Sequence, residues 1–268
     1  MSKKEGYIGV FDSGIGGLTV AGSIMKSLPK ENIIYFGDTA HLPYGTKSEK
    51  QIREYAVNDV LFLSQFDLKA LVIACNTADS VARHALEEKF DMPIYGVIKP
   101  ASIKAARVTR NNRIGIMATT ATVRSDAYPR TIHRYSEEAE VFQLACPLLV
   151  PLVENGRFSK DDIVVRTVLK EYLDQLTAHD IDTLVLGCTH YPLLMDAISS
   201  LVPDLTIISS SEAAAETLRR GLQELDLLNE SEGGKRKYFV SDDPEHFHEN
   251  AVIFLGRDAA GEAELVEV

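Results

Sequence analysis

The segment TLVLGCTHYP, residues 183–192, is an apolar run typical of a buried strand, yet it ends in reactive side chains. A glycine closes the run, and a thiol, a hydroxyl and an imidazole follow in succession at Cys188, Thr189 and His190. A core strand needs none of these groups, because polar side chains lose hydration on burial. The segment therefore indicates a strand whose end carries chemistry.

The same pattern occurs earlier in the chain, where KALVIACNTADSV (residues 69–81) resembles DTLVLGCTHYPLL (residues 182–194). The two cysteines are 188 − 75 = 113 residues apart. YIGVFDSG and RIGIMATT form a second similar pair, with an offset of 114 − 8 = 106 residues. This period is too long for a solenoid repeat, so it predicts two related α/β domains that face each other.

Short apolar runs alternate with longer helical patterns along the chain. The predicted helices cover 18–28, 48–66, 76–90 and 159–178. This order predicts an α/β fold of mainly parallel sheets with helices on both faces, and unbroken apolar runs fit strands that are covered on both sides. The predicted strands are 7–11, 32–38, 69–75, 93–98, 113–119, 140–146, 183–188 and 205–210.

The composition restricts the classes of partner that the chain could bind. Its 268 residues suffice for one large or two small cores, and they carry a formal net charge of -11 with a pI of about 5.1. This acidity disfavours nucleic acids and anionic membranes as partners. No apolar run approaches the roughly 18 residues that a membrane helix needs, and the run at residues 7–11 is too short for a signal peptide. We expect a cytoplasmic protein.

The chain has three cysteines, Cys75, Cys146 and Cys188. An odd number without a signal peptide argues against a disulfide framework, and the lack of a C-x-x-C pair argues against structural zinc. Cys146 has no polar company in LACPLLVP and is predicted to be a core residue. Cys75, Cys188 and His190 could together bind a metal ion, but their spacing matches no known zinc finger, so we expect no metal site.

Ligands of parallel α/β sheets bind outside the carboxyl ends of the strands, where Cys75 and Cys188 are expected to lie. Each cysteine precedes a predicted helix, whose N-terminus should lower the pKa of the thiol. One thiolate could remove a proton from a carbon while the opposite thiol delivers one to the other face, which inverts a stereocentre without a cofactor. Asp12 and His190 would steer these protons. Other polar candidates at strand ends are Ser13, the Pro43-Tyr44-Gly45 loop, Thr119, Thr120 and Thr122.

A dinucleotide site is disfavoured, although DSGIGG (residues 12–17) is glycine-rich and follows a strand. Thr19 stands where the third glycine of G-x-G-x-x-G would fall, and Asp12 would repel a pyrophosphate. We expect the glycines to form a tight turn that brings Asp12 and Ser13 to the cleft. The hydroxyls of Thr77 and Thr189, beside helix N-termini, suit the carboxylates of a small ligand instead.

Five motifs together resemble those of the bacterial glutamate racemase family, within the aspartate/glutamate racemase superfamily. They are DSGIGGLTV, GDTAHLPYG, IACNTA, VENG and GCTHYPLL, and the resemblance extends from Tyr7 to about Ser211. It implies cofactor-independent interconversion of L- and D-glutamate by a homodimer, which supplies D-glutamate for peptidoglycan. It also implies two pseudo-symmetric α/β domains with the active site in the cleft between them, one formed by residues 1–97 and 208–268 and the other by residues 98–207.

The site residues of that family match this sequence position by position. The resemblance implies that Cys75 is the base acting on D-glutamate and that Cys188 is the base acting on L-glutamate. Asp12, His190 and Glu154 match its supporting acid–base residues. The matching substrate-binding positions are Ser13, Pro43, Tyr44, Gly45, Asn76, Thr77, Thr119, Thr122 and Thr189.

Two positions depart from the family pattern. KPAS (residues 99–102) follows GVI where a Pro-Gly-Ala sequence is expected. Asp79 stands where a small or hydroxyl residue is usual, one helical turn after Cys75. There it would either approach the thiol and oppose thiolate formation, or face solvent.

Two other functions stay open on the residues alone. One is racemisation of aspartate or of another small acidic or cyclic amino-acid derivative. The other is a non-catalytic regulator or binding module built on the same scaffold.

Overall fold

The structure is a computed structural model, and it describes residues 3–256 and 261–268. Ten strands in these residues form two sheets, and every strand pairing in both sheets is parallel. The predicted fold class is therefore confirmed. The strands are β1 (Tyr7–Asp12), β2 (Asn32–Gly37), β3 (Leu68–Ile73), β4 (Ile94–Gly96), β5 (Arg113–Ala118), β6 (Glu140–Ala145), β7 (Thr183–Gly187), β8 (Thr206–Ser209), β9 (Arg236–Val240) and β10 (Ala263–Leu265).

Helices connect successive strands, as parallel pairing requires. None of the helices in the described residues is both long enough and apolar enough to cross a lipid bilayer. The α-helices are α1 (Leu18–Ser27), α2 (Glu49–Leu63), α3 (Asn76–Lys89), α4 (Ile98–Val108), α5 (Thr120–Ser125), α6 (Ala127–His133), α7 (Leu149–Glu154), α8 (Ile163–Thr177), α9 (Met195–Leu201), α10 (Ser210–Glu224) and α11 (Pro244–Leu255).

The two sheets repeat one strand order, which is the structural counterpart of the sequence repeat. The larger sheet has the order β10-β9-β2-β1-β3-β4 and the smaller sheet the order β6-β5-β7-β8. The segment β2-β1-β3-β4 thus corresponds to β6-β5-β7-β8, with β3 equivalent to β7. Cys75 follows β3 and Cys188 follows β7, so the two cysteines occupy equivalent places beside the point where the strand order reverses.

One hydrophobic core is shared by the two sheets. Alternate strand residues such as Val10, Val72, Ile116 and Val185 turn inward to it, together with apolar residues of α1, α4, α6 and α10. The opposite face of the larger sheet packs against α2 and α3, and that of the smaller sheet against α7, α8 and α9. The shared core holds the two strand ends that carry the cysteines in a fixed relation.

The strand predicted at residues 93–98 is wrong at its end, because β4 stops at Gly96 and Ile98 already begins α4. The cause is a capping interaction from another helix. The Asp79 carboxylate accepts hydrogen bonds from the backbone N–H groups of Val97 (2.9 Å) and Ile98 (2.8 Å), which satisfies the first turn of α4.

The proposed division into residues 1–97 with 208–268 and residues 98–207 stays a prediction. Residues 1–2 and 257–260 of the first part lie outside the described residues. The second boundary falls within β8, and the shared core crosses both boundaries.

Candidate active site

A cavity of about 260 Å³ opens where the carboxyl ends of the two sheets meet. Cys75 and Cys188 both line it, and each has 5% of its surface exposed. A larger groove of about 660 Å³ between α4 and α10 contains no cysteine. The remaining residues that line the smaller cavity are Ser13, Leu42, Pro43, Tyr44, Gly45, Thr46, Asn76, Thr77, Thr119, Thr120, Cys146, Pro147, Val150, Pro151, Glu154, Thr189 and His190.

Most of the predicted site residues are thus brought together, and two are not in the lining. Asp12 lies behind Cys75, 1% exposed, and Thr122 lies behind Thr119, fully buried. The hydroxyls of Thr77, Thr119 and Thr122 form a triangle, with oxygen separations of 2.9 Å, 3.0 Å and 3.4 Å. Thr122 therefore orients two hydroxyls of the cavity wall from behind.

Cys75 is the N-cap residue of α3, and its sulfur accepts a hydrogen bond from the Ala78 backbone N–H at 3.5 Å. Its thiol donates to the Ser13 hydroxyl at 3.5 Å. Burial, followed by the nearby Asp12 carboxylate, raises the pKa of Cys75 to about 12. The expected lowering by the helix N-terminus is wrong here, because desolvation and a like charge outweigh the helix dipole. Cys75 is a protonated thiol at neutral pH.

Cys188 belongs to a hydrogen-bonded series with His190 and Glu154. The Sγ atom of Cys188 lies 3.8 Å from Nδ1 of His190, and Nε2 of the same ring lies 3.0 Å from Oε1 of Glu154. Burial disfavours the charged ring, but the contacts with Cys188 and Glu154 prevail and raise the pKa of His190 to about 10. His190 is thus an imidazolium at neutral pH, and it places a positive charge beside the sulfur of Cys188.

The prediction of an α-helix directly after Cys188 is wrong. A 3₁₀-helix at Tyr191–Leu194 follows instead, with His190 as its N-cap. The imidazolium, rather than a helix terminus, is therefore the positive group next to this sulfur.

The glycines of DSGIGG permit close approach rather than unusual backbone angles. None of Gly14, Gly16 and Gly17 has a positive φ. A Cβ atom on Gly16 would overlap the His190 ring and the Thr189 hydroxyl, and one on Gly17 would overlap the Asp12 side chain. The loop at residues 12–17, which follows β1 of the larger sheet, therefore packs directly against the residues after Cys188 in the smaller sheet.

The loop that contains Pro43, Tyr44 and Gly45 is anchored by hydrogen bonds from Tyr44 to two buried carboxyl groups. The Tyr44 hydroxyl donates to Asp38 at 2.6 Å and to Asp59 at 3.1 Å. Burial, followed by the neighbouring Asp38 charge, raises the pKa of Asp59 well above its usual range. Burial therefore favours the neutral acid form of Asp59.

The two expected environments for Asp79 are both wrong. Its side chain is 1% exposed, and its carboxylate faces the start of α4 and the Arg83 guanidinium (3.4 Å) rather than the thiol or solvent. A Cβ atom on Gly96 would overlap this carboxylate, so the glycine of GVI makes room for it. The departure at Asp79 is therefore a cap for a neighbouring helix.

The prediction for Cys146 was incomplete. The residue is fully buried in the core of the smaller sheet, as expected, but it also lines the cavity. Its position directly after β6, at the carboxyl end of a predicted strand, was the available signal. Thr46 was also missed, and so were Leu42, Pro147, Val150 and Pro151, because apolar lining residues carry no chemical signature.

Metal ligation was the remaining possibility for these side chains. No group of three or more His, Cys, Asp or Glu residues within 3–256 and 261–268 is arranged to hold a metal ion. Within the cavity lining, His190 and Glu154 instead form an ion pair with each other.

Known proteins share this arrangement. The family described as Asp/Glu/Hydantoin racemase matches residues 19–218. The chain belongs to this racemase family. Racemases are isomerases, so the chain belongs to a family of isomerases.

Individual racemases match over nearly the whole chain. A glutamate racemase of Neisseria meningitidis is 47% identical over 256 residues, which are 95% of this chain and 94% of the relative. The crystal structure of a glutamate racemase isoform from Bacillus anthracis has a TM-score of 0.95 and 41% identity, covering 99% of this chain and 98% of its own. That of a Francisella tularensis glutamate racemase, in complex with D-glutamate, has a TM-score of 0.91 and 37% identity, covering 98% of both chains.

Proposed function

We propose that this racemase is a cofactor-independent glutamate racemase that interconverts L- and D-glutamate by a two-cysteine proton transfer. The observation that carries the proposal is the placement of Cys75 and Cys188 on equivalent strand ends, both in the wall of one small cavity. The names of the relatives supply the substrate, and the bound D-glutamate of the Francisella protein supports it.

In this proposal each thiol acts on one enantiomer. Cys188, as a thiolate paired with the His190 imidazolium, removes the α-proton of L-glutamate and breaks the Cα–H bond. The Cys75 thiol, whose pKa is about 12, then gives its proton to the opposite face of the carbanion. D-glutamate forms, with Cys75 left as thiolate and Cys188 as thiol. The reverse reaction begins from this second state.

Asp12 and Glu154 support the two bases in this scheme. Asp12 lies behind Cys75, and burial raises the pKa of its carboxyl group, so it can hold a proton close to the reacting thiol. Glu154 stabilises the imidazolium of His190 from the side opposite Cys188. Both groups act through a neighbour that touches the substrate.

Hydrogen-bond donors around the cavity would bind the substrate carboxylates. Asn76 and Thr77 lie in the first turn of α3, and Thr189 follows Cys188. Ser13, Thr119 and the Pro43-Tyr44-Gly45 loop complete the wall, with Thr122 behind it. Burial of the reacting carbon in this small volume strengthens every charge interaction made there.

A supply of D-glutamate for peptidoglycan, a cytoplasmic location and a homodimer complete the proposal. Racemisation of aspartate is the second candidate, and a non-catalytic binding module is the third. A chiral assay with purified enzyme, reductant and no added cofactor separates them. We expect rapid conversion of L-glutamate and little conversion of L-aspartate. Faster conversion of L-aspartate would favour the second candidate, and binding without conversion of either the third.

A further inference from the structure

Tyr128 in α6 is a buried side chain that touches the neighbours of both cysteines. It is 0% exposed. Its hydroxyl donates a hydrogen bond of 2.7 Å to Oδ1 of Asn76, the residue after Cys75. A Cβ atom on Gly187, the residue before Cys188, would lie 3.0 Å from Cε2 of the Tyr128 ring. One ring thus fills the space between the two strand ends.

The amide of Asn76 is fixed by this contact. Asn76 is 2% exposed and lines the cavity. Its Oδ1 atom is taken by Tyr128, while its buried Nδ2 group has no hydrogen-bond partner in the described residues. Such an unpaired buried donor is costly, so its presence at a cavity wall points to a ligand that accepts the bond.

We propose that Tyr128 is a positioning residue for racemisation, which holds the Asn76 amide toward a substrate carboxylate while its ring spaces the two cysteine loops. This inference rests on the proposed function. The hydroxyl performs the first task and the ring the second, so the two tasks can be separated by substitution.

Tyr128 is suited to a donor role that does not change with pH. Burial raises its pKa well above the usual range, and the charges of Asp79 and Cys188 act in the same direction. The hydroxyl therefore stays protonated wherever the enzyme works. Because it donates to Oδ1, it leaves the amide N–H bonds free to point into the cavity.

The Tyr128→Phe variant removes the hydroxyl and keeps the ring. We expect KM for both enantiomers to rise about tenfold, the effect of losing one buried hydrogen bond, with kcat changed less than about threefold. Tyr128→Leu also removes the ring, and we expect kcat to fall as well. Tyr172→Phe, a second buried tyrosine substitution in the core of the smaller sheet, is the matched control and should change neither constant.

A double-mutant cycle separates positioning from general stability. If Tyr128 acts through Asn76, then Tyr128→Phe should leave KM unchanged when it is added to Asn76→Ala. Additive effects on KM, or an unchanged KM in Tyr128→Phe alone, would overturn the inference. Unfolding midpoints measured on the same samples show whether each variant is folded.

The wild-type enzyme serves as the reference in every assay. Absence of glutamate turnover in the wild type would overturn the proposed function and this inference with it. Wild-type turnover with a Tyr128→Phe variant that behaves like the wild type would overturn the inference alone.

Discussion

The Nδ1 atom of His190 lies 3.8 Å from the Sγ atom of Cys188. Among the described residues, Ser13 and the buried Asp12 are the polar side chains that act on Cys75, and neither is a cation. The two thiols therefore have different electrostatic surroundings although their strands are equivalent. One is paired with an imidazolium and the other is kept neutral by burial and a carboxylate. In the proposed mechanism, this difference suits the free enzyme to L-glutamate, which needs a base at Cys188 and an acid at Cys75.

Replacement of His190 tests the counter-ion role. The pKa of His190 is raised to about 10, so the imidazolium is present below that pH and is lost as the pH rises through it. We expect wild-type kcat/KM to fall with a midpoint near that value. In His190→Asn we expect kcat/KM at neutral pH to fall by about 10²–10³ and this basic limb to disappear. A pH profile of kcat/KM from pH 6 to 11 measures both effects.

The pH profile has an internal control, because the equilibrium constant of racemisation is fixed. The two enantiomers have equal free energy in water, so kcat/KM must be equal in the two directions for every active variant. An unchanged basic limb in His190→Asn would contradict the assignment of that limb to the imidazolium.

Replacement of Glu154 by glutamine tests what raises the pKa of His190. The glutamine keeps a hydrogen-bond acceptor for Nε2 but removes the charge. We expect the basic limb of the kcat/KM profile to move to lower pH, because less negative charge stabilises the imidazolium. A shift to higher pH would mean that Glu154 does not act on the ring in this way. Glu171→Gln, on the exposed face of α8, is a control that should leave the limb in place.

A methyl group at Gly16 tests the close seating of the two loops. The added Cβ atom would overlap the His190 ring and the Thr189 hydroxyl, so one or both must move. We expect Gly16→Ala to lower kcat/KM by about a hundredfold or more, since misplacement of a catalytic group by about 1 Å has that effect. Gly22→Ala in α1 is the matched control, because its Cβ atom meets only a flexible Leu255 side chain. Equal activity of the two variants would contradict the seating.

Removal of the Asp79 carboxylate tests its assignment as a cap of α4. We expect Asp79→Ala to lower the free energy of unfolding by about 1–3 kcal/mol, because two buried backbone N–H groups lose their acceptor. Asp79→Asn keeps an acceptor and should lose less. Urea unfolding monitored by circular dichroism measures the effect, with the exposed Glu88→Ala as control. A stability loss no larger than that of the control would refute the cap.

Much of this site could be predicted, because reactive or polar residues directly follow the apolar runs that form its strands. Cys75, Cys188 and the polar residues after β1 and β5 were located in this way, and parallel strands bring such ends together. The helix α7 was not among the predicted helices, and it contains Pro151. Pro151 occupies the third helical position, where no intrahelical partner for an N–H is needed.

The predictions that were wrong concern contacts between residues that are far apart in the sequence. The thiol of Cys75 was expected to be acidic, but its protonation is set by burial and by Asp12, which is 63 residues away in the chain. The position of Asp79 in its own helix suggested contact with Cys75 or with solvent. Its carboxylate instead accepts hydrogen bonds from Val97 and Ile98 at the start of α4. Tertiary contacts thus set the pKa of Cys75 and the hydrogen bonds of Asp79, which the position in a helix alone does not predict.

The central claim is that two opposed thiols transfer the α-proton, and exchange in D₂O tests it most directly. Cys75→Ser, Cys188→Ser and the Gly22→Ala control would each be incubated with L-glutamate and, separately, with D-glutamate. Proton NMR follows loss of the α-proton signal, and a chiral assay follows the opposite enantiomer. The account predicts that both serine variants lose racemisation by about 10³-fold or more, while the alanine control retains it. It also predicts that Cys75→Ser exchanges only the α-proton of L-glutamate and Cys188→Ser only that of D-glutamate. Racemisation at the wild-type rate by either serine variant would contradict the two-thiol mechanism.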